Sequence, residues 1–256
     1  MSWTKITVRV KQYFCYLCGM KPMVYFQDWG IISYQTAWDR QQQLLKKMVD
    51  FKLKKSENTS TETTEHQLIF CEHPPVFTLG RSGSVENLLL SEDELKEKNI
   101  EFFKINRGGD ITFHGLGQII GYPIFDLNEF FTDVHRYVRS LEEVIILTLA
   151  EYGLLGIRVP KFTGVWLEED EKNKKKRKIC AIGIHLSRWV TMHGFAFNIN
   201  TDLSYFEHIV PCGISDDDKA VTSLQNELGY FIDRAEVTEK LIRNFSQVFD
   251  FQYFNK

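Results

Sequence analysis

Between residues 68 and 199 the apolar residues come in short runs separated by glycine, proline and asparagine. The runs at 68–71, 76–79, 102–105, 111–113 and 119–124, and again at 164–167, 179–186 and 190–199, have the length and punctuation of strands. A chain with this pattern must build a sheet. Segments of helical period lie around and among these runs. From Tyr34 to Lys55, the residues Ala37, Gln41, Leu44, Leu45, Met48 and Phe51 fall near one face. Thr132 can cap a second helix reaching about Tyr152, with Val134, Val138, Leu141, Ile145 and Leu149 inward. A third, 234–249, spaces Val237, Leu241, Phe245 and Phe249 at helical intervals. The order is neither a strict βαβ alternation nor a repeat array. It predicts an α/β (α+β) domain with a mixed sheet and flanking helices.

A chain of 256 residues can bury such a core without disulfides or a structural metal. Its net charge of −3 excludes the bulk positive field of a general nucleic-acid binder. No run approaches the ~18 apolar residues of a membrane helix. Five cysteines, Cys15, Cys18, Cys71, Cys180 and Cys212, are too few and too irregular for a disulfide framework, and they indicate a reducing, cytoplasmic setting. Cys15 and Cys18 form a CxxC, but a zinc site needs a second pair that the chain lacks, so the expected metal is none. Residues 1–27 contain no Asp or Glu and read as an extension ahead of one domain at 28–256. The stretch 54–66, rich in Ser and Thr, reads as a loop. Residues 168–178, EEDEKNKKKRK, run acidic and then basic, as in a solvated hairpin whose arms attract each other; the alternative is a basic lip for an acidic partner.

Three clusters carry chemistry. Residues 107–123, RGGDITFHGLGQIIGYP, gather Gly108, Gly109, Gly115 and Gly117 around Arg107 and His114. Adjacent glycines let a backbone approach a ligand and leave N–H groups to point at it; a tight strand connection is the plainer alternative. The segment has neither a dinucleotide fingerprint nor a P-loop. In residues 178–200, Lys178 opens an apolar strand. It is a solvated strand end unless an acidic or nucleophilic partner lies opposite. In residues 209–214, IVPCGI, Pro211 and Gly213 bracket Cys212 on a turn. A thiol presented this way becomes a nucleophile if a cation lowers its pKa, and otherwise is an ordinary free cysteine.

Taken together and in order, these pieces resemble the lipoyl(octanoyl) transferases, the octanoyl-acyl carrier protein:protein N-octanoyltransferases, from about Asp28 to the C-terminus. EHPPVFTLGR at 72–81 is similar to an early family segment, with Asn87-Leu88-Leu89 following. RGGDITFHGLGQIIGYP is similar to the signature loop. Gly164-Val165-Trp166 and KICAIG at 178–183 are similar to the lysine strand. His193-Gly194, Asn198 and Asn200-Thr201-Asp202-Leu203 follow, and then Pro211-Cys212-Gly213-Ile214 with VTSL at 221–224. The extension and the charged residues before Lys178 depart from the family pattern.

The resemblance implies a fold like the catalytic domain of biotin and lipoate protein ligases, and an acyltransferase activity. Octanoyl would pass from acyl carrier protein to a lysine of lipoyl domains in oxoacid dehydrogenase and glycine cleavage proteins, with no cofactor, nucleic acid or membrane. Cys212 falls on the acyl-thioester nucleophile and Lys178 on the lysine that lowers its pKa. Substrate contacts fall on Arg107, Gly108, Gly109, Asp110, Ile111, Thr112, Phe113 and His114, on Ala181, Ile182 and Gly183, and on Gly194, Phe195 and Ala196. Two readings compete: an ATP-dependent lipoate–protein ligase on the same fold, which needs no cysteine, and a non-catalytic carrier-binding module.

Overall fold

A computed structural model describes residues 21–56, 64–171, 173–210 and 219–255. Cys15, Cys18, Lys172 and the expected turn at 211–214 with Cys212 lie outside the described residues, as do residues 57–63 of the expected loop. In chain order the elements are β1 (Met23–Ile31), α1 (Tyr34–Ser56), β2 (His66–Glu72), β3 (Val76–Leu79), α2 (Glu92–Glu97), β4 (Glu101–Lys104), β5 (Ile111–His114), β6 (Gln118–Ile124), α3 (Val134–Ala150), β7 (Gly156–Val159), β8 (Phe162–Leu167), β9 (Lys176–Ser187), β10 (Val190–Asn198), β11 (Lys219–Val221), α4 (Leu224–Leu228), α5 (Arg234–Phe249) and β12 (Gln252–Asn255).

The main sheet is mixed, with strand order β12-β1-β2-β6-β10-β9-β8-β7 and β11 parallel to β9. A small sheet, β4-β3-β5, stands beside it. Helix α1 covers one face of the main sheet, packing Ala37 and Met48 on Ile69, Ile120, Tyr122, Met192 and Ala196. Helices α3 and α5 cover the other face, where Leu141, Ile145, Leu241 and Phe245 meet Leu68, Phe70, Ile119, Phe195 and Phe197. Neighbouring residues such as Ile119 and Ile120, or Phe195 and Ala196, therefore enter opposite cores. With both faces covered, β6 and β10 are buried at every position, which is why they read as continuous apolar runs.

The helices follow their local signals. Ser33 caps α1, accepting the Thr36 N–H on Oγ. Asp133 caps α3, where Thr132 was the expected cap, and its carboxylate accepts the Arg136 N–H. Leu141, Ile145 and Leu149 face the core as expected and Tyr137 and Val144 join them, while Val134 in the first turn is exposed.

Two expectations change. Strand β1 starts at Met23, ahead of the expected boundary at 28, and pairs with both β2 and β12. The charged hairpin is self-paired, as its plainer reading held, but it is not wholly solvated. Lys176 pairs with Glu168 at 2.9 Å, and Arg177, 5% exposed, binds Asp170 at 2.9 Å and Glu227 at 2.8 Å. Arg177 therefore belongs to the core's ion-pair network and not to a basic lip. Among the described residues, no helix is long and apolar enough to cross a membrane.

Candidate active site

Strands β9 and β10 pair so that Ala181 faces Ala196 and Gly183 faces Gly194. These small side chains leave a trough, and the loop from Arg107 to Asp110 arches over it. The Gly108 N–H donates to the Ile184 carbonyl at 2.9 Å and fastens that loop down. The neighbouring turn supports it from outside, where Gly80, Arg81 and Ser82 donate N–H groups to the carbonyls of Asp110, Arg107 and Gly109. Gly80 lacks a Cβ for cause: one would lie 2.2 Å from the Gly109 oxygen.

The result is a cavity of about 280 Å³. Of the expected site residues, Arg107, Gly109, Asp110, Ile111, Thr112, His114, Lys178, Ala181, Ile182, Gly183, Gly194, Phe195 and Ala196 line it. Two do not. Gly108 holds the loop, so its N–H is spent on β9 and is not presented to a ligand. Phe113 alternates to the other side of β5, where it stacks on Tyr205 at 4.5 Å and packs against Phe77.

The inner wall is polar and extensively hydrogen-bonded, although the buried Arg107 Nε finds no partner among the described residues. His114 Nδ1–H donates to Gln118 Oε1 at 3.0 Å, and its Nε2 accepts from Thr78 Oγ1 at 3.1 Å. Gln118 donates to Asn198 Oδ1 at 2.7 Å, and Asn198 donates to the Thr222 carbonyl at 2.9 Å. This chain of bonds ties β5, β6 and β10 to the end of β11. Burial holds His114 well below the usual histidine range, with His73 and Arg107 adding to the effect. His193 is pushed down to about 3 by burial and then by Arg107, and burial lowers His73 to about 4. The histidines around the cavity are therefore neutral near pH 7 and serve as hydrogen-bond partners. The cation on this wall is Arg107, which donates to the Thr78 carbonyl and hydroxyl at 2.6 and 2.9 Å.

Lys178 lies on β9 between Trp166 of β8 and Val221 of β11, half-buried, at the cavity's edge. Its Nζ stands 4.7 Å from the Trp166 ring centroid. The Cys212 segment leaves the described chain at Val210, anchored by its N–H to the Asn87 carbonyl, and returns at Lys219. Phe206 before it and Val221 after it both line the cavity. Cys71 and Cys180 are free but wholly buried, and burial pushes both thiols up, so neither supplies a thiolate.

Sequence reasoning missed several lining residues, two of them buried tyrosines. Tyr34, the first residue of α1, stacks on His114 at 6.0 Å, and Tyr122 bonds His73 at 2.7 Å; both tyrosines line the cavity. The paired histidines His73 and His114 were the available signal. Among the described residues, no group of His, Cys, Asp or Glu is placed to hold a metal.

A sheet trough under a glycine loop, lined by Lys178, Ala181, Ile182 and Ala196, defines an α/β domain with a site between the main sheet and the loop. The chain belongs to the lipoyl protein ligase A/B catalytic domain family, whose model matches residues 33–246. It is 54% identical over 231 residues to an octanoyltransferase of Christiangramia forsetii, covering 90% of this chain and 97% of that one. It is 50% identical over 234 residues to an octanoyltransferase of Cytophaga hutchinsonii, covering 91% of this chain and 95% of that one. Among solved structures, the fold is similar to a bipartite lipoate protein ligase from Thermoplasma acidophilum (TM-score 0.65, 16% identity, covering 93% of this chain and 87% of that one). It is also similar to lipoate-protein ligase A bound with ATP (TM-score 0.63, 15% identity, covering 93% and 90%).

Proposed function

We propose that this protein transfers an octanoyl group from acyl carrier protein to a lysine of lipoyl domains, through a thioester on Cys212, in a reducing cytoplasmic compartment. The observation that carries the reading is Lys178 at the edge of a cavity that Phe206 and Val221, the flanks of the Cys212 segment, also line. The likeness to octanoyltransferases over about nine-tenths of the chain supports the substrate class.

The chemistry balances without ATP. The Cys212 thiolate attacks the donor's thioester carbonyl, and the carrier leaves as a thiolate that takes its proton from the Lys178 ammonium, which leaves Lys178 neutral. A free thiol has a pKa of ~8.5, so a neighbouring ammonium raises the thiolate fraction at neutral pH. The acceptor lysine then attacks the acyl-cysteine. Neutral Lys178 takes the amine proton, an amide forms and the Cys212 thiolate leaves. The Ala181, Ile182, Phe195 and Ala196 wall would bury the chain, at ~0.8 kcal/mol per methylene.

The test is a transfer assay with a lipoyl domain and either octanoyl carrier protein without ATP, or octanoate with ATP. Octanoyl-lysine should form from the carrier-bound donor alone. Product only from octanoate and ATP would make the chain a ligase, and product from neither would make it a non-catalytic binding module.

A further inference from the structure

Strand β8 is irregular where it approaches the lysine. Gly164 has a φ of +122°, its N–H donates to the buried Glu142 carboxylate at 3.2 Å, and a Cβ there would lie 2.4 Å from the Cys180 oxygen. The pairing of β8 with β9 then shifts by one residue between Val165 and Trp166, which sets Trp166 opposite Lys178.

Trp166 is wholly buried and its ring is pinned. The indole N–H donates to the Phe162 carbonyl at 3.2 Å, and the Phe162 ring meets it edge-on at 6.1 Å and 63°. The Nζ of Lys219, the first residue after the Cys212 segment, lies 4.8 Å from the Phe162 centroid. Lys178, Trp166, Phe162 and Lys219 thus form a cation–aromatic–aromatic–cation ladder, and its Lys178 and Phe162 members border the cavity. Trp166 is not part of the cavity wall, so any effect it has on the reaction passes through the lysine.

From this geometry we infer that Trp166 is a positioning residue: its indole face is the platform that holds the Lys178 ammonium at the cavity's edge. The inference rests on the proposed role of Lys178 toward Cys212. A buried indole face attracts an ammonium through its quadrupole and restrains a side chain with four rotatable bonds. Without the platform, Lys178 turns toward water, and the thiolate it supports becomes scarcer at a given pH. An interaction of this type corresponds to about a tenfold change.

The experiment follows alkylation of Cys212 by iodoacetamide against pH, read on the Cys212 peptide by mass. It uses Trp166→Leu and Trp166→Phe, each alone and combined with Lys178→Ala. Trp166→Leu should move the profile up by about one pH unit, with Trp166→Phe moving it less. In the Lys178→Ala background neither change should move it further. In transfer, kcat should fall about tenfold while the KM for donor holds. Where Trp166→Leu fails to fold, Trp166→Phe keeps a ring in the slot and carries the comparison. The inference is overturned if both tryptophan variants keep the wild-type profile, or if they shift it equally with and without Lys178. If Lys178→Ala alone leaves the profile unmoved, the proposed role of Lys178 fails first and takes the inference with it.

Discussion

Gly183 lies directly beneath Arg107: a Cβ at Gly183 would come within 2.9 Å of Arg107 Cδ and 2.9 Å of the Gly108 oxygen. The lysine strand and the glycine loop can close over the cavity only because this residue has no side chain. Gly183→Ala should lift the loop, cost about 1–3 kcal/mol of stability as an overpacked contact, and raise the KM for donor. Urea unfolding and a transfer assay check both effects. An unchanged KM would mean that the loop does not shape the substrate site.

The bonds from His114 through Gln118 to Asn198 leave no slack, since Gln118 is 1% exposed and bonds to both partners. Gln118→Leu should strand the His114 N–H and the Asn198 oxygen and destabilise the fold by about 2–4 kcal/mol. Denaturant midpoints measure this. A loss below ~0.5 kcal/mol would contradict the network.

Arg177 and its lysine neighbours should behave differently. Arg177→Ala leaves Glu227 buried without its partner and should cost about 3–5 kcal/mol. Lys174 and Lys175 are exposed, and changing both to Gln should leave the unfolding midpoint within about ±0.5 kcal/mol. The double change should raise the KM for carrier-bound donor, in a salt-dependent way, without affecting a small octanoyl thioester. Equal effects on both donors would exclude a docking role.

The buried histidines set a pH dependence. His73 and His193 have folded values near 4 and 3, below the unfolded value of about 6.5, with His114 also lowered. Below pH 6.5 the unfolded chain binds protons that the folded chain refuses. Stability is therefore full above pH 6.5 and falls toward pH 4, by up to about 1.4 kcal/mol per pH unit for each histidine. Urea unfolding at pH 7, 6 and 5 should show the decline; a flat profile would contradict neutral buried histidines.

Much of this was legible in the residues. The long helices announce themselves by period, with one face buried, and the central strands by continuous apolar runs, with both faces buried. The strand β1 and the edge strands β7, β11 and β12 do not, since they are short or exposed and draw their pairing from distant partners. Within the site, Arg107 and His114 follow from a glycine-rich local pattern, whereas Lys178 and Ala181–Gly183 follow only from the family resemblance. Tyr34 and Tyr122 enter the cavity from α1 and β6, and only tertiary packing brings them there. Phe113 misled because strand alternation decides which residues of a motif face inward. Arg177 misled because a charge run reads as solvated until its buried partner, fifty residues on, is seen.

The central claim is that Cys212 carries the acyl group. Its most direct test is the intact mass of the protein after incubation with octanoyl carrier protein and no ATP. The expected result is a gain of one octanoyl group that hydroxylamine removes and that Cys212→Ala abolishes. No gain in the wild-type protein, or the same gain in Cys212→Ala, would contradict it.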